Sequence, residues 1–320
     1  MSKLWFALVI TLCSHLSVAA PWPERSIKLI VPFPPGGGTD IVARTIAAQL
    51  STRLGQTVVV ENRPGAGGAI GANAVATSDP DGYTIGIATS STHPAAVVLR
   101  GDLPYSPVQS FAPITQIGST AYVLVASPEL PAKNLEEFVD YAKKNPGKMN
   151  FANVGTSTLG YLLSLQFEAL TGIQLAHITY KGSAQAYPDL IAGRASVFFD
   201  NPGASTALIN SKKLNVYGVT LATPEIKEAP LFSEAGSALG LRGFSTQFWY
   251  GLVAPAGTPY VIVEKIQQAV AEYLLSESGK VELTAMGLQP VGSTPGQFAE
   301  RIKLDMEEFK ALALRVQLKL

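Results

Sequence analysis

Short hydrophobic runs alternate with helix-period patterns along most of this chain. Near the start of the chain, the largely apolar run 27–31 predicts a buried strand. The prolines and glycines of residues 32–38 then predict a turn. Apolar residues recur at helical spacing in the helix that follows: Ile41, Val42, Ile46 and Leu50. Thr39 or Asp40 is placed to cap this helix. Because a helix N-terminus carries unpaired amides and a positive dipole end, the turn is suited to bind an anion without any Lys or Arg.

The strand–turn–helix pattern recurs downstream. Further strands are predicted at residues 57–61, 83–88, 121–126, 149–152, 175–180, 197–200, 216–220 and 248–254. Further helices are predicted at residues 135–144, 159–170, 184–191 and 259–275, with Thr258 as a cap, and a terminal helix opens at Thr294-Pro295. Residues 94–113 lack a regular period, and residues 103–107 within them predict a surface loop. The alternation indicates the α/β class.

A chain of 320 residues is long enough for two lobes. A second turn of glycine and hydroxyl residues at 153–158 repeats the plan of the opening turn. We predict a first lobe made of residues 21–118 and 247–320 and a second lobe made of residues 119–246. Because the chain crosses twice between these lobes, the two connections are expected to form a hinge.

The first twenty residues have the order of a secretory signal peptide. Lys3 precedes the apolar run 4–12, and small residues end at Ala20, where cleavage is expected. This run is too short to span a bilayer, which needs about 20 residues. Cys13 raises a lipoprotein alternative, but Leu12 before it is too large for a good lipobox. We therefore predict an exported, periplasmic protein whose mature chain has no cysteine.

Charge and composition exclude several classes of partner. The formal net charge is zero, which argues against a nucleic-acid partner, and 47% hydrophobic residues allow an extensive core. The mature chain would keep only His93 and His177, so a zinc site is not expected. The glycines of 65–71 do not form a dinucleotide fingerprint because Ile70 occupies a required glycine position, and we expect close packing there instead. No metal and no cofactor are predicted.

Hydroxyl side chains follow one predicted strand directly, at residues 89–92. Ligand sites of open α/β sheets lie at the carboxyl ends of strands, so this cluster is well placed for binding. His93 follows the cluster and is an open candidate for a ligand contact. Asp40 is expected to act as a helix cap or to pair with Arg44, since a carboxylate beside an anionic ligand would repel it.

The order of several segments resembles the Bug or TctC family, the extracytoplasmic solute-binding proteins of tripartite tricarboxylate transporters. These segments are PFPPGGGTDIVAR, ENRPGAGGAIGA, DGYT, HITYKGSAQAYPDLIAGRASVFFDN, GLVAPAGTP and GSTPGQF. The resemblance implies a two-lobed periplasmic binding protein fold, type II-like, in which each lobe is a mixed sheet flanked by helices. It also implies a small carboxylate ligand and integral membrane transporter subunits as partners.

The resemblance points to ligand-binding residues in both lobes. They are Phe33, Pro34, Pro35, Gly36, Gly37, Gly38, Thr39, Thr89, Ser90, Ser91, Gly155, Thr156, Ser157, Thr158 and Asp200. Three departures bear on the identity of the ligand. Tyr161 stands where the family often has a His, and the second-lobe turn has one glycine, Gly155, where relatives often show two. The segment LATPEIKEAP after Thr220 lacks the basic residues that are common there in the family.

The sequence thus predicts a monomeric periplasmic protein that captures a dicarboxylate, tricarboxylate or aromatic acid by lobe closure. One alternative is a sensor subunit that docks to a membrane receptor. Another is an exported hydrolase or lyase, with Asp200 as a conceivable general base, but no G-x-S-x-G elbow with a partner His is present. We therefore predict that the protein is not an enzyme.

Overall fold

The computed structural model describes residues 22–315, except residues 224, 227 and 228. The predicted signal peptide, residues 1–20, lies outside this part of the chain. Within it, strands and helices alternate as the hydrophobic pattern predicts.

Eleven strands are present among the described residues. They are β1 (Ile27–Val31), β2 (Val58–Asn62), β3 (Thr84–Thr89), β4 (Phe111–Thr120), β5 (Val123–Ala126), β6 (Asn150–Asn153), β7 (Ala176–Thr179), β8 (Val197–Asp200), β9 (Asn215–Val219), β10 (Phe248–Pro255) and β11 (Gln289–Pro290).

The described residues also form eleven α-helices. They are α1 (Gly38–Leu54), α2 (Ala69–Ala76), α3 (Ala96–Leu99), α4 (Leu135–Lys144), α5 (Leu159–Thr171), α6 (Ser183–Ile191), α7 (Pro202–Asn210), α8 (Phe232–Ala235), α9 (Tyr260–Leu275), α10 (Glu277–Ala285) and α11 (Pro295–Arg315). None of them is long and apolar enough to cross a membrane.

The strands form two mixed sheets, one in each lobe. The first lobe holds the order β11-β4-β10-β3-β1-β2, in which β1 runs parallel to β2 and β3 while β10 is antiparallel to β3 and β4. The second lobe holds β7-β6-β8-β5-β9, in which β6 runs parallel to β7 and β8 while β5 is antiparallel to β8 and β9. The predicted two-lobed fold with mixed, helix-flanked sheets is confirmed.

The chain passes between the sheets twice, after β4 and between β9 and β10. The predicted boundary at residue 118 lies two residues before the end of β4, and that at residue 247 lies directly before β10. The irregular structure predicted for residues 94–113 is wrong at both ends, since residues 96–99 are helical and β4 begins at Phe111. Residues 103–107, predicted as a loop, contain no helix or strand, although Tyr105 is buried.

Helix starts follow the sequence signals in part. Asn134 caps α4, and its side chain accepts a hydrogen bond from the Glu137 amide at 2.9 Å, as predicted. The caps predicted at residues 39–40 and at Thr258 are wrong. Helix α1 is capped by the backbone of Gly37, and α9 is preceded by Pro259 while the Thr258 hydroxyl donates to the Pro255 carbonyl at 2.8 Å.

The glycine-rich turn after β2 brings backbone segments into close contact, as predicted. A Cβ atom on Gly71 would lie 2.6 Å from Cα of Pro32 and 2.7 Å from the carbonyl oxygen of Arg63. Only a glycine permits this approach, which sets α2 against the end of β1. The prolines that end β1 are thereby held in position at the start of the opening turn.

Candidate functional site

A cavity of about 290 Å³ lies between the two lobes. Residues at the carboxyl ends of β1, β6 and β8 and the first residues of α1, α5 and α6 surround it. The lining residues are Phe33, Pro34, Pro35, Gly37, Gly38, Thr39, Ser91, Tyr122, Asn153, Val154, Thr158, Gly160, Tyr161, Gly182, Ser183, Ala184, Gln185, Phe198, Phe199, Asp200, Asn201 and Phe248. Both lobes therefore contribute to one enclosed site.

Helix α1 presents its N-terminus to the cavity through a backbone cap. Gly37 is the capping residue, and Gly38 and Thr39 are the first helical residues. The Asp40 carboxylate accepts hydrogen bonds from the Gly36 amide at 3.0 Å, Asn62 Nδ2 at 2.9 Å and Arg44 Nε at 2.9 Å. The predicted Asp40–Arg44 pair is thus confirmed. Asp40 thereby stabilises the turn. Burial raises the pKa of its carboxyl, but the hydrogen bonds from these three partners together outweigh this effect and hold the pKa below the usual range.

Three helices of the second lobe also start at the cavity. Thr158 caps α5, Gly182 precedes α6, and Asn201 precedes α7, whose first residue is Pro202. Together with α1, four helix N-termini therefore border one space. Each N-terminus places about half a positive charge beside this space, so the cavity is suited to hold an anion.

Two asparagines add amide donors at the strand ends. Asn153 ends β6, and its Oδ1 accepts hydrogen bonds from the Gly155 amide and the Thr179 hydroxyl, both at 3.0 Å. The Nδ2 atoms of Asn153 and Asn201 are buried and have no hydrogen-bond partner among the described residues. Since both residues line the cavity, these amides are available to a ligand oxygen.

The lining residues of the cavity include no Lys, Arg or His, and Asp200 is their only acidic residue. Asp200 accepts hydrogen bonds from the Ser183 hydroxyl at 3.0 Å and from the Tyr187 hydroxyl. Burial raises the pKa of the Asp200 carboxyl to about 6, against the opposing effect of these donors. An anion in this cavity would thus be held by neutral donors and helix dipoles.

The structure brings together nine of the fifteen predicted site residues around this cavity. They are Phe33, Pro34, Pro35, Gly37, Gly38, Thr39, Ser91, Thr158 and Asp200. The amide of Gly36 is used by Asp40. Ser90 Oγ accepts a hydrogen bond from the Trp249 amide at 2.9 Å, and the Thr89 hydroxyl lies 3.3 Å from that of Thr92. Gly36, Thr89 and Ser90 therefore do not line this cavity.

The other three predicted residues, Gly155, Thr156 and Ser157, line an outer chamber of about 630 Å³ that adjoins the cavity. The two spaces share the lining residues Phe33, Pro34, Val154 and Gln185. The charged residues of the outer chamber are Arg100 and Lys181. Positive side chains therefore lie outside the inner cavity, near the route into it.

The lobes touch directly along this route. The Ser157 hydroxyl of the second lobe donates to the Ala66 carbonyl of the first at 3.3 Å, and the Leu159 amide donates to the Ser91 hydroxyl at 3.0 Å. A Cβ atom on Gly67 would lie 2.4 Å from Ser157 Oγ. These contacts describe lobes closed against each other.

Sequence reasoning did not select several lining residues, among them Tyr122, Asn153, Asn201 and Phe248. A signal for the two asparagines was present, because each lies at or directly after a strand that precedes a helix. His93 does not line the cavity. It packs against Phe111 with 4.8 Å between ring centroids, and burial lowers its pKa to about 3. No cluster of metal-ligating residues occurs in the described part of the chain.

Two mixed sheets with a cavity between them, bordered by helix N-termini and aromatic side chains, have the architecture of a periplasmic binding protein. Residues 42–317 match the family described as the tripartite tricarboxylate transporter family receptor, TctC, and the chain belongs to this family. It is 34% identical to Protein BugT of Bordetella pertussis over 306 residues, which cover 93% of this chain and 92% of BugT.

Two solved structures with ligands are similar over nearly the whole chain. Rpa4515 of R. palustris with adipate gives a TM-score of 0.88 at 32% identity, covering 92% of this chain and 98% of that one. MatC (Rpa3494) from Rhodopseudomonas palustris with bound malate gives a TM-score of 0.85 at 30% identity, covering 91% and 99%. Both ligands are dicarboxylic acids.

Proposed function

We propose that this protein captures a small carboxylate in the periplasm and delivers it to a tripartite tricarboxylate-type membrane transporter. The observation that carries the proposal is the convergence of four helix N-termini from two lobes on one cavity lined without Lys, Arg or His. Such a cavity favours an anion that is bound by backbone amides and side-chain donors. Adipate and malate in similar structures support a carboxylic acid of this size.

Binding is proposed to occur by closure of the lobes, residues 21–118 with 247–320 against residues 119–246. Of the fifteen predicted site residues, nine line the inner cavity, three line the outer chamber and three line neither. We therefore propose that only some of them contact the ligand directly. The ligand shifts the population toward the closed form because the site is complete only when the lobes meet. The family of receptors supports a binding role without catalysis, and turnover of a bound acid would contradict that role.

A thermal-shift screen of residues 21–320 tests the proposal. We expect at least one acid among adipate, malate, citrate and benzoate to raise the melting temperature. At 100 times the Kd, a ligand adds about 2.7 kcal/mol to the native state. A response to sugars or amines alone, with none to any acid, would contradict the carboxylate proposal.

The role of the captured acid is tested in cells. Loss of uptake of the identified acid in a deletion strain, with the transporter subunits present, is expected for a delivery protein. Normal uptake with loss of acid-dependent gene expression would instead indicate the sensor alternative. Mass analysis of the periplasmic protein tests the predicted cleavage after Ala20.

Closure makes a further prediction at Gly67. Gly67→Ala is expected to weaken acid binding about tenfold, because its Cβ would lie 2.4 Å from Ser157 Oγ and 3.1 Å from Ser157 Cβ across the lobe contact. Calorimetric titration with the acid found in the screen measures the effect. Ser157→Gly in the same chain is expected to restore part of the affinity.

Gly172→Ala is the matched control for Gly67→Ala. Gly172 has a φ of +69°, close to the +65° of Gly67, and an added Cβ would meet nothing within 4 Å. Both variants therefore carry a similar backbone strain, roughly 1–2 kcal/mol, but only Gly67→Ala disturbs the contact between lobes. Equal affinities for the two variants would exclude this contact from the closed, ligand-binding form.

A further inference from the structure

A buried carboxylate faces a cavity that is suited to an anion. Asp200 ends β8, is 5% exposed and lines the inner cavity. None of the residues that line this cavity is Lys, Arg or His. A carboxylate ligand would therefore place a second negative charge in an enclosed space that already holds one.

The surroundings of Asp200 provide hydrogen-bond donors and the partial positive charge of two helix N-termini, but no Lys, Arg or His side chain lines the cavity. Its carboxylate accepts from Ser183 and Tyr187 of α6 and from the backbone amide of Asn201 at the start of α7. Its pairing partner across the sheet is Val123 of β5. The three donors are neutral, so they stabilise the ionised carboxylate without cancelling its charge.

The titratable groups that face Asp200 are tyrosines. Tyr122 precedes β5, Tyr187 lies on α6 and Tyr250 lies on β10, and burial raises the pKa of each. Tyr161 of α5 also lines the cavity, and burial raises its pKa too. All four are neutral at physiological pH. The Asp40 carboxylate in the first turn of α1 is occupied by its pair with Arg44.

Two carboxylates in one enclosed site disfavour each other's ionised forms, so the pKa of one rises strongly. We propose that the cavity binds its carboxylate ligand together with one proton, and that Asp200 takes up this proton. The inference rests on the proposed function, because it requires an acid in the cavity. In the complex, the protonated Asp200 keeps its place beside Ser183 and donates one hydrogen bond of its own.

The expected pH dependence follows from linkage. Free Asp200 titrates at about pH 6 and the bound form titrates at a higher pH. Between these two values the affinity is expected to fall about tenfold for each unit of rising pH, since each binding event must take a proton from solution. Below about pH 6, Asp200 is already protonated in the free protein, so uptake of this proton no longer contributes to the pH dependence of the affinity.

Calorimetry on the unaltered protein tests the proton directly. The probe is the acid among adipate, malate, citrate and benzoate with the largest thermal shift, titrated at pH 7.5 in phosphate and in Tris. These buffers differ in ionisation enthalpy, so the difference in observed binding heat gives the number of protons exchanged. We expect an uptake near one proton. Binding without proton uptake would overturn the inference while leaving carboxylate capture intact.

Two variants assign the proton to Asp200. Asp200→Asn is expected to abolish proton uptake at pH 7.5 and, with it, the fall in affinity between pH 7 and 8.5. Ser183→Ala removes one donor to the carboxylate, so the break in the affinity profile is expected to move to higher pH. Ser183→Ala also serves where Asp200→Asn folds poorly, because a purely structural role of Asp200 would leave the break unmoved.

Two other outcomes would contradict the proton uptake by Asp200. An amino acid that binds without proton uptake, and loses affinity in Asp200→Asn, would mean that Asp200 pairs with a ligand ammonium, and the inference would be wrong. Failure of every acid to bind at any pH between 5.5 and 8.5 would remove the proposed function and the inference with it.

Discussion

Gly37→Leu is expected to abolish acid binding, weakening it at least 100-fold, while the protein stays folded. Gly37 lines the inner cavity and caps α1 with φ −87° and ψ 167°, an extended conformation that leucine adopts without strain. A Cβ there would meet nothing closer than the Pro34 carbonyl oxygen at 4.0 Å. Because Gly37 lines the cavity, the leucine side chain is expected to extend into the space that the ligand needs.

The loss is measured as the disappearance of the thermal shift and of the calorimetric signal. A 100-fold weaker Kd corresponds to about 2.7 kcal/mol of lost binding free energy. Leucine is a poor helix cap, so we also expect about 1 kcal/mol of destabilisation. For a chain of this size that lowers the melting temperature by about 2–4 °C.

Asn134→Leu is the control for that destabilisation. Asn134 caps α4 through its side chain, and it does not line the cavity. Its replacement is expected to lower the melting temperature by a similar amount and to leave binding unchanged. Retained binding in Gly37→Leu would mean that the ligand lies elsewhere in the cleft.

Asp305→Ala is expected to lower the free energy of unfolding by about 3 kcal/mol without touching the cavity. Asp305 of α11 is 2% exposed, and its Oδ2 accepts a hydrogen bond from Trp249 Nε1 at 2.6 Å. Trp249 is fully buried on β10 and packs against Phe298 with 5.1 Å between ring centroids. Removal of the carboxylate leaves a buried indole N–H unsatisfied, which costs about 1–3 kcal/mol.

The ion pair of Asp305 with Arg301 adds to this effect. Arg301 Nε lies 2.9 Å from Asp305 Oδ1, so the substitution also leaves a partly buried guanidinium without its partner. Urea unfolding monitored by tryptophan fluorescence measures the change. Asp305→Asn keeps an acceptor for the indole and is expected to lose less, about 1 kcal/mol.

Asp102→Ala is the exposed counterpart of Asp305→Ala. Asp102 also pairs with an arginine, Arg100, at 3.2 Å, but its side chain is 79% exposed. Exposed ion pairs contribute about 0–1 kcal/mol, so its loss is expected to be small. Similar losses for Asp305→Ala and Asp102→Ala would mean that the Trp249 contact does not stabilise the fold.

Local signals in the sequence predicted most elements of the fold. The apolar run of β1 and the capped, amphipathic α4 have the predicted bounds. Such elements carry their own determinants, namely a buried apolar set and a side-chain cap. The prolines and glycines after β1 likewise predicted the start of a helix. In the structure, this N-terminus of α1 borders the cavity.

Strand β4 shows where local signals were not enough. Its ten residues include Pro113, Gly118 and several hydroxyl side chains, and they contain no alternating apolar pattern. The strand forms because β10 pairs with it on one side and β11 on the other. Pro113 is accommodated where the register with β10 shifts, between Leu252 and Val253. These partners lie more than 120 residues away in the chain, beyond any local window.

In the hydroxyl cluster at the end of β3, local signals were also not enough to identify the residue that lines the cavity. Thr89, Ser90 and Ser91 have similar chemistry and adjacent positions, but only Ser91 lines the cavity. Ser90 accepts from the Trp249 amide, and Thr89 is hydrogen-bonded with Thr92. Which hydroxyl faces the ligand space depends on the path of β10 beside this turn, and the sequence does not contain that path in readable form.

By itself, the sequence determined the α/β class, the two lobes and the glycine turn that starts α1, because periodicity and turn chemistry act over a few residues. The tertiary structure decided which helix starts converge, since α6 and α7 meet α1 only after both lobes are folded. It also decided the state of Asp200, whose pKa is raised by burial among elements that are distant in sequence. Charge and burial at the site are properties of the assembled cavity, so only the tertiary structure defines them.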